Sequence, residues 1–222
     1  MALPVLIIGR SGSGKTYSLK SFNQEPDKIG VISVEKGRLP FKSNIKVVKV
    51  PEKFKDDHNQ EMLIPAQTNA AKYTWIQNAI KVAKANAIVI DDSQYLLANE
   101  LFDRAYERGY DKFVGIAANF RNLIHFVNNL DDDNKIVYFL HHSESDSEGR
   151  EKIKTIGKML DEKLTVEGCF DIVIYCQDQK FFTQSNEQST AKSPEDMFDL
   201  ELPNDLLLVD TKIREYYGIS GS

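Results

Sequence analysis

Pro4-Val5-Leu6-Ile7-Ile8-Gly9-Arg10-Ser11-Gly12-Ser13-Gly14-Lys15-Thr16 stands almost at the start of the chain. Its four apolar residues, Val5 to Ile8, have the make-up of a short buried strand. Gly9 to Thr16 fits G-x-x-x-x-G-K-[ST] at every position. The glycines let backbone N–H groups converge on anionic oxygens with no Cβ in the way. Helix formers follow, so the positive end of a helix would face the same anion. Lys15 can reach the β- and γ-phosphates of a nucleoside triphosphate, and Thr16 can hold Mg²⁺. The stretch implies a site for ATP or GTP built from Gly9, Arg10, Ser11, Gly12, Ser13, Gly14, Lys15, Thr16 and Tyr17.

The remaining composition bounds the answer. A chain of 222 residues suits one α/β domain and is long enough to bury a core. Apolar residues at 41% and charged residues at 27% place it among ordinary soluble globular proteins. The formal net charge of −5 argues against a bulk basic surface for nucleic acid, while leaving room for a local basic loop. Cys169 and Cys176 form no CxxC pair and read as reduced, apolar residues. With no membrane-length apolar run and no signal-peptide pattern, the expected compartment is the cytoplasm.

Beyond the loop, a helix is expected over 16–22. Lys28 to Glu35 reads as a second buried strand with Glu35 at its C-terminal end, the edge where open α/β sheets bind ligands. Ile45 to Val50 reads as a strand nearer an edge, and 51–65 as a polar loop. Gln67 to Lys84 has the period of an amphipathic helix. Ala87 to Ile90 is an apolar run ending in Asp91-Asp92. Beside a phosphate loop, such a strand supplies a carboxylate for the Mg²⁺ shell, here Asp91 opposite Thr16. Asp92 could orient a water or cap the next helix. Two helices are expected over 93–108, with Tyr95, Leu96, Phe102 and Tyr106 mostly in the core, and over 112–130.

Lys135 to Leu140 reads as a further buried strand ending in His141-His142, where a polar residue can sense a γ-phosphate. Ser143 to Thr155 is expected to be a mobile loop carrying Arg150, Lys152 and Lys154 among several acids. A helix is expected over 156–166 and a last core strand over 171–175. Lys180 to Thr183 and Gln188 to Lys192 read as a hairpin. Asn204 can cap a helix over 205–217, after which 218–222 should fray. With no repeat and no linker, 1–222 reads as a single domain.

Several nucleotide-hydrolysing classes can be set aside. A guanine-reading N-K-x-D is missing, since Asn134-Lys135 is followed by Ile136-Val137. The C-terminal part does not read as an all-helical lid. The order of elements resembles the RecA-like core, an α/β fold with a mostly parallel central sheet flanked by helices, here with a C-terminal β-hairpin and helix. That resemblance implies Glu35 as the residue activating the attacking water. It implies a γ-phosphate sensor at His141 or His142, where the family usually has glutamine. It also implies a DNA-contacting loop at 143–155.

More closely, the chain resembles small phage RecA-like ATPases, some of which are single-strand annealing recombinases. The likeness rests on GRSGSGKT, on Gly157 to Gly168, on Thr190-Ala191-Lys192-Ser193-Pro194, and on the ending Leu202-Pro203-Asn204-Asp205-Leu206 with Ile213 to Ile219. It implies a Mg²⁺-dependent ATPase that binds single-stranded DNA and promotes strand annealing in recombination. It implies a homo-oligomer, ring or filament, in the host-cell cytoplasm, with a basic residue reaching in from the neighbour; Lys192 is the candidate. A single-strand-binding protein is a candidate further partner. Two other readings stay open: a nucleotide-dependent motor or loader subunit in phage replication or packaging, and a small-molecule kinase.

Overall fold

The computed structural model describes residues 1–156, 165–185 and 187–220. Residues 157–164 of the expected helix over 156–166, and with them most of the Gly157 to Gly168 motif, lie outside the described residues; Val166–Cys169 is a short 3-10 helix.

Strand β1 (Leu3–Gly9) runs through the middle of one sheet. The other parallel strands are β2 (Ile29–Ser33), β3 (Lys46–Lys49), β4 (Ala87–Asp91), β5 (Ile136–Ser145) and β7 (Ile172–Gln177). Strands β8 (Lys180–Phe182) and β9 (Glu201–Pro203) extend the sheet antiparallel. The order is β3-β2-β4-β5-β1-β7-β8-β9, and β6 (Glu151–Ile153) pairs antiparallel with β5. The fold is therefore α/β with a mostly parallel central sheet flanked by helices.

Strand periodicity of two explains why β1 is apolar throughout. Leu6 and Ile8 face a core shared with α1 (Pro65–Val82), α2 (Gln94–Asp103) and α3 (Asp111–Asn128). Val5 and Ile7 face a second core, closed by a 3-10 helix (Thr16–Gln24) and by α4 (Leu206–Tyr217). Asn69, Tyr73, Ile76 and Ile80 are the buried residues of α1, at the spacing of one helix face. Lys135, buried at the start of β5, donates to Ile80 O at 3.2 Å and Ala83 O at 3.0 Å. It thereby satisfies carbonyls at the end of α1, where a positive charge is favoured.

Several expectations change. The segment after the phosphate loop is a 3-10 helix that runs on to Gln24. Helix α2 stops at Asp103, leaving Phe102 and Tyr106 exposed, while Leu96 is core. The hairpin partner of β8 is β7, not 188–192: Asp178 and Gln179 both take positive φ, as a two-residue type I′ turn requires. The cap of α4 is Asp205, whose carboxylate accepts Leu208 N–H at 3.0 Å, not Asn204. The tail does not fray at Gly218: this residue is the left-handed cap of α4, and Ile219 N–H donates to Arg214 O at 2.9 Å. Residues 221 and 222 lie outside the described residues. Among the described residues no helix is long and apolar enough to cross a membrane.

Candidate nucleotide site

Two strands place the site. Strand β1 ends in the phosphate loop, and β4 ends in Asp91, with β5 lying between them. Across that gap Thr16 Oγ1 donates to Asp91 Oδ1 at 2.8 Å. Burial pushes the Asp91 carboxyl up to about 6, with neighbouring Asp92 adding to the rise. A cation beside it would favour the ionised form instead.

The loop itself is drawn tight. A Cβ on Gly9 would stand 2.4 Å from Cys176 O, so β1 can approach β7 this closely only as glycine. Gly14 has φ +115°, and a Cβ there would meet the Asn204 and Gln179 side-chain amides at 2.7 and 2.9 Å. Lys15 is only 5% exposed; its Nζ donates to Gly9 O at 2.6 Å and Arg10 O at 3.0 Å. Burial lowers its pKa, against the opposite pull of Asp92 and Asp91. Ser13 Oγ is buried without a hydrogen-bond partner among the described residues. An ammonium resting only on carbonyls, an orphaned hydroxyl and glycine amides are the donor set a polyphosphate would satisfy. The residues thus fit a nucleotide, and Thr16 with Asp91 fits the Mg²⁺ that accompanies it.

Next to this pair, Asp92 takes φ +60°, unusual outside glycine. The reversal lets Ser93 N–H donate to Leu140 O at 2.9 Å and brings the Asp92 carboxylate beside His142 Nε2, at 3.5 Å. His142 and Lys36 (4.0 Å from Asp92) hold the Asp92 carboxyl below the usual range despite its partial burial. Glu35 lies beyond the end of β2, exposed, and its Oε2 accepts from Asn99 Nδ2 at 3.2 Å. It lines a cleft of about 450 Å³ with Lys49, Tyr95 and Asp103.

The two histidines separate cleanly. Strand β5 does not stop at His141 but continues to Ser145. Alternation therefore sends His141 inward and His142 toward Asp92. His141 is fully buried; Nε2 meets Lys154 O at 2.8 Å and Nδ1 meets Ser93 Oγ at 2.9 Å. Both nitrogens are committed, so His141 is a packed interior group rather than a phosphate sensor. Burial drops its pKa to about 3.

Other expected residues lie elsewhere. Lys192 is stitched to β7 by paired backbone hydrogen bonds with Val173, both 2.8 Å. Val173 pairs with Leu6, three residues before Gly9, or roughly 10 Å along the strand. The expected mobile loop is largely the β5–β6 hairpin. Within it Arg150 pairs with Asp146 at 3.1 Å and Glu148 at 2.9 Å, and Lys152 with Glu144 at 3.8 Å. Tyr17 is exposed at the loop exit, edge-on to Phe41.

Sequence reasoning missed the groups that brace the loop. Asn204 Nδ2 donates to Gly14 O at 3.0 Å and to Gln179 Oε1 at 2.9 Å, and Gln179 N–H donates to Ser13 O at 3.1 Å. Arg10 is held by Glu151 of β6. None of these sits within a motif of local spacing; they meet only because β6, β8 and β9 return to the edge above β1.

The family model described as AAA domain matches residues 2–144, which span the phosphate loop, Glu35, Asp91, Asp92 and His142. No curated relative matches the chain. Among solved structures, an ATPase from the type III secretion system of pathogenic bacteria is similar, at 17% identity and a TM-score of 0.41. The match covers 78% of this chain and 50% of that one, so the chain spans about half the length of that structure.

Proposed function

The chain belongs to the AAA domain family and is a P-loop ATPase, and from that premise we propose that it couples Mg²⁺-dependent ATP hydrolysis to single-stranded DNA, in the manner of a phage annealing recombinase. The observation that carries the hydrolytic half is the Thr16–Asp91 contact beside the glycine loop. Lys15 and the loop amides neutralise phosphate charge by position alone. Thr16 and Asp91 would hold Mg²⁺, which would supply a further positive charge beside the phosphates. Glu35 orients the attacking water, and His142, set by Asp92, reads the γ-phosphate. The reaction needs no covalent intermediate, only placement and fixed charge.

The DNA half is supported by the hairpin that continues β5 past the site. It carries Arg150, Lys152 and Lys154 and begins at the strand next to β1. The resemblance in Thr190 to Pro194 and in the C-terminal ending supports it further. In this reading residues 1–222 act as one ATPase domain, copies assemble into a homo-oligomer, and Lys192 serves a neighbouring copy's site because it lies away from its own.

The deciding experiment measures ATP turnover with single-stranded DNA, duplex DNA and no DNA, with particle size followed in parallel. Stimulation by single strands together with assembly is the expected result. Stimulation by duplex alone would favour a motor or loader. Phosphate appearing on an added metabolite would make the protein a kinase.

A further inference from the structure

On one flank of the phosphate loop, Arg10 reaches across to β6. Its Nε donates to Glu151 Oε1 at 3.0 Å, and its Nη2 donates to the same oxygen at 2.6 Å and to Ser145 Oγ at 2.8 Å. Ser145 Oγ also donates to Glu151 Oε1 at 2.8 Å, and Ser143 Oγ donates to Oε2. The two partners are unequal. The Arg10 side chain is 69% exposed and that of Glu151 only 6%. The Glu151 backbone is fixed as well: its N–H donates to Gln188 O at 2.7 Å, and its C=O accepts from Thr190 N–H at 3.0 Å. Burial would push the Glu151 carboxyl up, but Arg10 and the two serines hold it below the ordinary range, so it stays ionised. Glu151 is the fixed end of the pair and Arg10 the end that follows it.

Arg10 is also part of the machinery. Its C=O accepts from Lys15 Nζ at 3.0 Å and from Ser13 N–H at 3.2 Å. One residue therefore joins a buried carboxylate of the hairpin to one of the two carbonyls on which Lys15 rests. We propose that Glu151 is a positioning residue for ATP turnover: through Arg10 it sets the shape of the phosphate loop and ties that shape to the β5–β6 hairpin. The inference rests on the ATPase activity alone and stands or falls without single-stranded DNA.

The test uses the full chain and ATP turnover without DNA, for wild type, Arg10→Ala, Glu151→Gln and the double variant, with melting temperature alongside. Glu151→Gln keeps the shape and removes the charge. It should raise KM for ATP about fivefold with a smaller change in kcat, and should add nothing further in the Arg10→Ala background, as coupled neighbours do. Glu151→Asp, which keeps the charge, should recover part of the loss. Should Glu151→Gln fail to fold, Ser145→Ala at an exposed position carries the same test with a smaller rise in KM. A variant that acts equally with and without Arg10, or that lowers the melting temperature while KM stays put, would reduce Glu151 to a structural part of the hairpin and overturn the proposal.

Discussion

Thr16 opens the 3-10 helix after β1 and Asp91 ends β4, 75 residues on and with β5 between the two strands, yet the hydroxyl donates to the carboxylate at 2.8 Å. The contact closes the gap between the phosphate loop and β4 at the one point where a Mg²⁺-bound phosphate must be held from both sides. Burial and the neighbouring Asp92 push the Asp91 carboxyl up to about 6, and the hydrogen bond from Thr16 works against that rise.

Asp91→Asn should therefore keep the fold, because the amide oxygen can still accept from Thr16, while the charge that Mg²⁺ needs is gone. Turnover at saturating ATP should fall about a hundredfold or more, the scale for losing one charge-stabilising group. Thr16→Val should show a smaller loss that added Mg²⁺ partly restores. A Mg²⁺ titration of the steady-state rate checks both. An Asp91→Asn protein as active as wild type would remove the metal assignment.

Glu35 and Asp92 compete for the role of base. Glu35→Gln is expected to leave ATP binding intact and lower kcat about 10²- to 10⁴-fold, the range for a lost general base. Asp92→Asn tolerates the same left-handed backbone, so it tests charge and not strain. Single-turnover rates with pre-bound ATP separate the two. A normal rate for Glu35→Gln with a slow one for Asp92→Asn would hand the role to the Asp92–His142 pair.

His141 predicts how stability depends on pH. Its folded pKa of about 3 lies far below the ordinary value of 6.5. The unfolded chain takes up the proton first, so stability is fully present above about 6.5 and is lost as pH falls toward 3. Urea midpoints should be flat above neutrality in this respect and decline through that window. His141→Gln should remove part of the decline, at some cost in packing against Phe120. A slope unchanged by the substitution would place the acid sensitivity in other groups.

How much of this could be read from residues in order depends on whether the signal is local. The phosphate loop, the strand before it and the Asp91 strand end are local, and the structure places them as the motif spacing implied. Glu35 is found at the sheet edge that its strand implied, but what touches it comes from α2. His141 and His142 were indistinguishable in sequence. One step of the pleat decides between them: β5 stays paired with β1 through both residues, His141 opposite Ile8 and His142 opposite Gly9, so their side chains take opposite faces. Glu151, Gln179 and Asn204 carried no local signal, because each meets the loop only through antiparallel strands added at or above the parallel sheet. The supposed hairpin over 180–192 failed for a related reason: Asp178-Gln179 makes the tighter turn, and it lacks the glycine that usually announces one.

Under the second core, Arg214 and Asp210 form a nearly buried pair at 2.7 Å, extended by Tyr138 Oη–H to Asp210 Oδ1 at 2.7 Å and by Arg214 Nη1 to Asn134 O at 2.8 Å. Removing one member leaves an uncompensated charge among apolar neighbours. Arg214→Met should cost about 3–5 kcal/mol. Tyr138→Phe should cost about 1 kcal/mol, since Asp210 keeps its arginine. Equilibrium denaturation would measure both, and a near-neutral Arg214→Met would show that water reaches the site.

The last prediction concerns the hairpin as a DNA contact. Arg150 and Lys152 are paired with Asp146, Glu148 and Glu144, so a phosphate must displace an acid before it gains a cation. Single-strand binding releases about 0.7 counterion per phosphate neutralised. If all three cations reach the strand, Arg150, Lys152 and Lys154 changed together to Ala should lower the slope of log K against log salt by about 2. If the acids keep their partners, the slope moves by less than half of that, roughly one contact's worth. Binding of a fluorescent oligonucleotide across a salt series reads the slope, with melting temperature as the control for folding. An unchanged slope with an intact fold would discard the hairpin as the DNA contact. It would leave β6 with the tasks of holding Arg10 through Glu151 and of placing Ile153 in the core.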